Sequence, residues 1–154
     1  MAEKKSGISY EQIIKDLKAR KFEPVYVLMG DESFYIDKIC DFISENVLKP
    51  EEQDFNQTVV FGADVNAMQV VDMCKGYPMM AEYRVVVVKE AQNLRNLEPL
   101  EKYLQNPVKT TILVLCHKNG SIDRRKKFIP QAEKVGVVFE SKKLYDRQLP
   151  GFIE

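Results

Sequence analysis

Three places in the sequence carry residue types able to do chemistry. They are the adjacent pair Cys116-His117, Gly30 followed by Asp31 and Glu32, and Lys89-Glu90 after a run of four valines. A thiolate beside an imidazole is the arrangement of a nucleophilic enzyme. Neighbours on a strand point to opposite faces, however, so Cys116 and His117 read as a buried thiol next to a surface imidazole. His117 is the only histidine, which excludes a multi-histidine metal site. Cys40, Cys74 and Cys116 are widely spaced without a C-x-x-C pair, so neither a disulfide framework nor a structural zinc site is expected.

Gly30 stands where a phosphate-binding loop would begin, after an apolar run. A P-loop needs a second glycine for close backbone approach, a lysine for the β and γ phosphates and a hydroxyl for magnesium. Counting along G-x-x-x-x-G-K-[ST] from Gly30 puts Tyr35, Ile36 and Asp37 at those positions. Asp31 and Glu32 add negative charge where a phosphate would sit, which satisfies a helix dipole and repels an anion. A magnesium-binding strand should end in an acidic pair, yet Val85–Val88 is followed first by Lys89, which opposes a cation. No cofactor or metal is expected, and no ATP hydrolysis.

The elements that must position these residues alternate. Ser9 with Gln12 forms a capping-box pattern, and Ile13, Ile14 and Leu17 give a short first helix its apolar stripe. Val25–Met29 reads as a buried strand. A helix capped by Asp31 follows, with an apolar stripe through Tyr35 or Ile36, Ile39, Phe42 or Ile43, and Val47; Pro50 closes it. Thr58–Phe61 is a second strand, and Asp64 is expected to cap a helix carrying Ala67, Met68, Val71 and Cys74, stopped by Gly76 and Pro78. Four β-branched valines mark the third strand. Leu97, Leu100 and Leu104 line a helix ending at Asn106-Pro107, and Thr110–Cys116 is the fourth strand. A last helical stretch opens at Ser121, includes Arg124 to Ile129, is interrupted or restarted at Pro130 and ends at Gly136 before the strand Val137–Phe139. Five strands thus alternate with four helices after one extra helix at the start. Strands apolar on both faces require helices on both sides, so the fold expected is a three-layer α/β/α domain with a mainly parallel five-stranded sheet.

Composition agrees with a single folded domain. The chain has 154 residues, 45% hydrophobic and 30% charged, with 23 basic against 23 acidic side chains. Zero net charge excludes a generally basic nucleic-acid surface and leaves local patches. No apolar run approaches the length needed to cross a bilayer, and the first seven residues lack the apolar stretch of a secretory signal. A cytoplasmic protein without membrane contact is expected.

Taken in order, four segments are recognisable. They are Pro24-Val-Tyr-Val-Leu-Met-Gly-Asp-Glu-Ser-Phe-Tyr-Ile-Asp, Tyr77-Pro-Met-Met-Ala-Glu-Tyr-Arg-Val-Val-Val-Val-Lys-Glu-Ala, Leu100-Glu-Lys-Tyr-Leu-Gln-Asn-Pro before Thr110-Thr-Ile-Leu-Val-Leu, and Leu144-Tyr-Asp-Arg-Gln-Leu-Pro-Gly-Phe-Ile. From about Phe22 onward the chain resembles the N-terminal domain of the delta subunits of bacterial DNA polymerase III, the clamp-loader subunits that grip the sliding clamp. The resemblance implies a RecA-like AAA+ fold with a degenerate nucleotide site, in accord with the residues around Gly30. It also implies a division into an N-terminal extension with a short helix (1–21), a core domain (22–143) and an exit toward a lid (144–154). Ending at Glu154, the chain is expected to be the N-terminal domain of a longer protein whose C-terminal domains contact the other loader subunits.

The resemblance further implies a clamp-binding element just before the third strand, with a proline or small residue, two large hydrophobes, a small residue, a polar one and then basic residues. Here it maps to Pro78, Met79, Met80, Ala81, Glu82, Tyr83 and Arg84, with Tyr77 just before it. The hydrophobic pair, commonly Leu-Phe or Phe-Phe in the family, is Met-Met, and Tyr83 replaces an often basic position. Thioether side chains adapt well to an apolar pocket, and equally well to the end of a core, so Met79 and Met80 alone read as wedge or as packing. Arg124-Arg125-Lys126-Lys127 is the densest basic run. It suits DNA-backbone contact, or a solvated helix face with Phe128 and Ile129 turned inward, and no aromatic interleaving favours the former. Lys142 and Lys143 are weaker candidates of the same kind.

The function expected is binding without covalent chemistry. The chain would insert a hydrophobic wedge into the sliding clamp, the beta subunit, and open the ring or hold it open for loading on DNA, which it touches indirectly or weakly. The domain would not be an enzyme by itself, although the holoenzyme of the family is a DNA-directed DNA polymerase. The alternatives are an atypical P-loop-like nucleotide enzyme around Gly30 and Glu90, and a purely structural AAA+ scaffold.

Overall fold

A computed structural model describes residues 8–122 and 126–141. Five strands, β1 (Val25–Gly30), β2 (Gln57–Phe61), β3 (Arg84–Lys89), β4 (Thr111–Lys118) and β5 (Val137–Ser141), form one parallel sheet in the order β2-β3-β4-β1-β5. Six helices accompany it: α1 (Tyr10–Lys18), α2 (Ser33–Asn46), α3 (Pro50–Asn56), α4 (Ala67–Cys74), α5 (Glu98–Tyr103) and α6 (Phe128–Val135). The three-layer architecture is the one expected from two-sided apolar strands.

Alternation along each strand builds two cores. Val25, Val27, Met29, Val86, Val88, Leu113 and Leu115 point to the layer of α4, α5 and α6. Tyr26, Leu28, Val85, Val87, Ile112, Val114 and Cys116 point to α1 and α2. The registers that place Leu28 beside Cys116 and Phe139, and Val27 beside Leu115 and Val138, keep side chains of one face together across β4, β1 and β5. Every residue of β1 is buried, as expected of a central parallel strand.

Several boundaries differ from the sequence-based expectation, each for a local reason. Asp31 does not cap α2; Glu32 does, its carboxylate accepting from the Phe34 amide at 2.9 Å. Asp64 does not cap α4; it lies in a turn, bonded to Phe61 O, and Asn66 forms a reciprocal capping box with Gln69. Ser9 caps α1 through the Gln12 amide as expected, but the Gln12 side chain reaches Asp16 instead of closing the box. Pro50 does not simply close a helix: it is the first residue of α3, where proline's fixed φ and missing N–H suit N1. The helix expected from Ser121 or Arg124 begins only at Phe128, with Pro130 inside its first turn. Lys126 and Lys127 therefore precede the helix instead of lying along its face, and Arg124 and Arg125 lie outside the described residues. Five helices were expected in all, against six among the described residues, with a short 3-10 turn at Ala91–Asn93 besides.

Candidate functional site

The loop from Tyr77 to Tyr83 joins α4 to β3, and both of its ends are fixed. At the α4 end, the carbonyl of Met73 accepts from Arg84 Nε at 3.0 Å, and that of Cys74 accepts from the buried Thr111 hydroxyl at 2.7 Å. These two donors satisfy carbonyls that a helix terminus leaves open. At the β3 end, the Arg84 amide donates to Thr110 O at 2.8 Å, and Tyr83 packs edge-on against Phe22 with ring centroids 5.3 Å apart. Arg20 continues the stack, its guanidinium 4.9 Å from the Phe22 ring centre, while it donates to the carbonyls of Asn46 and Val47.

Between these anchors Asn56, the buried last residue of α3, grips the backbone of Met79. Its Oδ1 accepts from the Met79 amide at 2.6 Å and its Nδ2 donates to Met79 O at 3.0 Å. A third bond from Nδ2 to Glu52 O, 2.9 Å, ties the same side chain to its own helix. Held this way, the chain turns through a left-handed residue at Met80, φ +58°, a conformation costly for a side chain with a Cβ. Met80 is 99% exposed, Met79 59% and Tyr77 78%. The two methionines do not fill the end of the core; they stand out from it on a braced loop. Pro78 is half-buried, and Ala81 and Tyr83 pack against the α1–α2 core as the base of the loop. A groove of about 810 Å³ separates Met80–Tyr83 from the α2–α3 junction, with Arg20, Val47 and Lys49 on its far wall.

Asn56 and the helix that carries it were not foreseen. Pro50 followed by Glu51 and Glu52 is a helix-start signal, proline at N1 with acids in the first turn, so α3 was in principle readable. The clamp on Met79 was not, because it joins residues 23 apart.

The loop after β1 holds its polar groups against the protein itself. Gly30, at φ +129°, donates to Gly120 O at 2.9 Å, and Asp31 donates to Ser141 O at 3.0 Å. A Cβ at position 30 would lie 1.9 Å from Ser141 O, so the glycine serves a close approach to β5. Amides that would cradle a phosphate are thus directed elsewhere, and Glu32 occupies the N-terminus of α2. Asp37, at the position of a P-loop hydroxyl, pairs with Lys118 at 2.8 Å, and that pairing raises the lysine's pKa. Glu90 leaves β3 in a left-handed conformation and accepts from Gln92 at 2.6 Å.

Cys116 and His117 part as strand alternation requires. Cys116 is buried in contact with Cys40; that hydrogen bond first, and burial second, hold its thiol far above the usual range, and the Cys40 thiol is correspondingly lowered. His117 is half-buried rather than at the surface, and its Nδ1 donates to Gly120 O at 3.2 Å. Among the described residues no group of three or more His, Cys, Asp or Glu is placed to hold a metal, and no helix is long and apolar enough to cross a membrane. Lys126 and Lys127 are exposed just before α6, whereas Arg124, Arg125, Lys142, Lys143 and residues 144–154 lie outside the described residues.

Comparison with known proteins places the chain in a known family. Its model, that of the DNA polymerase III delta subunit, matches residues 26–142. The chain belongs to this delta-subunit family. The DNA polymerase III subunit delta of Bacillus subtilis is 29% identical over 148 aligned positions, covering 90% of this chain and 43% of the relative. The solved DNA clamp loader delta protein of Bacillus subtilis superposes with a TM-score of 0.80 at 26% identity, over 94% of this chain and 45% of that one. The chain thus spans less than half the length of these delta subunits. More distant structures share the fold: a gamma-subunit-related protein of Thermotoga maritima (TM-score 0.56, 16% identity, 92% of this chain and 48% of that one) and a RuvB mutant of the same organism (0.51, 15%, 95% and 50%). These neighbours place this delta-family domain among RecA-like AAA+ folds.

Proposed function

We propose that this chain binds a ring-shaped sliding clamp through the loop 77–83, with Met79 and Met80 as an apolar wedge and Tyr77, Pro78 and Tyr83 as its shoulders and base. The observation that carries this reading is the fully exposed Met80 beside Met79 on a loop whose backbone is gripped by a buried asparagine. Met80 buries almost none of its surface in the free domain and Met79 less than half, and a braced loop keeps the entropy cost of seating them in a pocket low. Thioether chains then adapt to the pocket shape. Burying each contributes roughly 1.5–3 kcal/mol, about 3–6 kcal/mol gross for the pair. Micromolar binding needs about 8 kcal/mol net, so contacts around the wedge must add to it.

In this proposal residues 22–143 are the clamp-binding core, 1–21 an N-terminal extension, and 144–154 the exit toward a lid and further domains that join the other loader subunits. Wedge insertion opens one ring interface or holds it open, and DNA is reached through the ring, with Arg124, Arg125, Lys126 and Lys127 at most a weak backbone contact. The chain does this without nucleotide chemistry. Amides around Gly30 bonded to Gly120 and Ser141, and the Lys118–Asp37 pair, support that part of the reading. The work of closing the ring falls to other subunits.

Calorimetric titration of the cognate clamp with this chain and with Met79→Ala/Met80→Ala, both checked by circular dichroism, tests the proposal. Wild-type binding lost in a folded variant is the expected result. Equal binding by both, or none by either, contradicts it.

A further inference from the structure

Among the described residues no strand pairs with the outer side of β2, and this flank adjoins the wedge. β2 is one of the two edge strands, and its sequence, Gln57-Thr-Val-Val-Phe61, has no charge and no proline, the devices that usually protect an open edge. Val60 turns inward and packs on the α4–α6 core. Val59 lies in register with Val87, whose side chain faces α2, so Val59 and Phe61 share the α2 face of the sheet. That face is covered by α2 over β1, β3, β4 and β5, whereas β2 is packed by β3 and, at its start, by the short α3. Val59 and Phe61 are consequently nearly half exposed, and Phe55 on α3 is 68% exposed. Three large apolar side chains within seven residues make a strip rather than a scatter.

Continuity joins this strip to the wedge. Phe55 precedes Asn56, the residue that holds Met79 by both backbone groups, so the start of the strip is tied directly to the wedge. We infer that Phe55, Val59 and Phe61 form a second apolar contact for the same clamp partner, continuing the surface that begins at Met79 and Met80. The inference rests on the clamp-binding reading and deepens it. It answers the shortfall noted above, since a two-residue wedge cannot by itself give micromolar affinity. A stable interface also covers roughly 800 Å² on each partner, far more than one loop tip offers. The partner surface it calls for is an apolar ledge beside the wedge pocket, reached by the sheet edge when the methionines are seated.

The test is a titration of the clamp with the wild-type chain, Met79→Ala/Met80→Ala, Phe55→Ala, and the triple variant Phe55→Ala/Val59→Thr/Phe61→Thr. Met68→Ala, an exposed methionine on α4 outside the strip, is the control. Circular dichroism and sedimentation velocity accompany each protein. The expected result is affinity weakened about threefold by Phe55→Ala and tenfold or more by the triple variant, with Met68→Ala unchanged. A triple variant that binds like wild type, while Met79→Ala/Met80→Ala does not bind, overturns the inference and leaves the wedge standing. No binding by the wild-type chain overturns both. Self-association of the wild type that the triple variant abolishes, with clamp affinity intact, assigns the strip to a second copy and overturns the inference. Should the triple variant fail to fold, Phe55→Ala, a change on the surface of a short helix, decides: unchanged affinity overturns the inference.

Discussion

Met80 combines two features that are costly in different ways. It is a non-glycine residue at φ +58° and an apolar side chain wholly in solvent. The left-handed conformation disfavours a side chain with a Cβ by about 1–2 kcal/mol, which glycine relieves at an entropic cost of about 0.5–1 kcal/mol. Met80→Gly is therefore expected to leave the midpoint of urea unfolding unchanged or slightly raised, while clamp binding is lost. A residue serving the fold would show the reverse, a lower midpoint. The contrast with Asn56 is instructive, because that buried side chain makes three bonds and its role is to hold its neighbour. Met79 and Met80 were legible in sequence as a candidate pair, but whether they faced solvent or core was not. That depends on Asn56, which reaches Met79 across the fold.

At the scale of elements, the sequence disclosed what periodicity and composition control. Runs of apolar residues marked all five strands, and the breakers Gly76, Pro78 and Gly136 marked the ends of elements. It was less informative where a helix start is shared among several polar residues: Asp31 and Glu32, or Asp64 and Asn66, compete for one cap, and only the turn geometry chooses. Strand order was not legible, since parallel pairing is set by packing between distant segments. The position of the site depends on one such junction, the C-terminus of α4 against the start of β4. Thr111 is fully buried and its hydroxyl donates to Cys74 O. Thr111→Val keeps the shape and leaves that carbonyl without its donor, so a loss of about 1–2 kcal/mol is expected in urea unfolding. Unchanged stability would mean that the bond does not fix the loop's departure from α4.

Across the whole molecule, the C-terminal edge of the sheet is closed upon itself by bonds among β1, β4, β5 and their loops. His117 belongs to this closure. Burial is the main cause that lowers its pKa below the ordinary 6.5, so the folded protein favours the neutral ring. The unfolded chain then binds the extra proton first. This contribution is complete above about pH 6.5 and declines as pH falls below it toward the folded-state pKa. Stability measured from pH 7.5 to 5.5 is expected to fall more steeply in the wild type than in His117→Gln; parallel curves would exclude the histidine as the cause. The loop before β3, on which the account depends, lies at the opposite, N-terminal end of the strands. The most direct measurement is an NMR spectrum of the chain labelled at its methionine methyls, assigned by single substitution and recorded with and without the clamp. The account predicts that Met79 and Met80 shift and broaden on complex formation, while the buried Met29 stays in place. A saturated complex in which the Met79 and Met80 methyls do not move would contradict it.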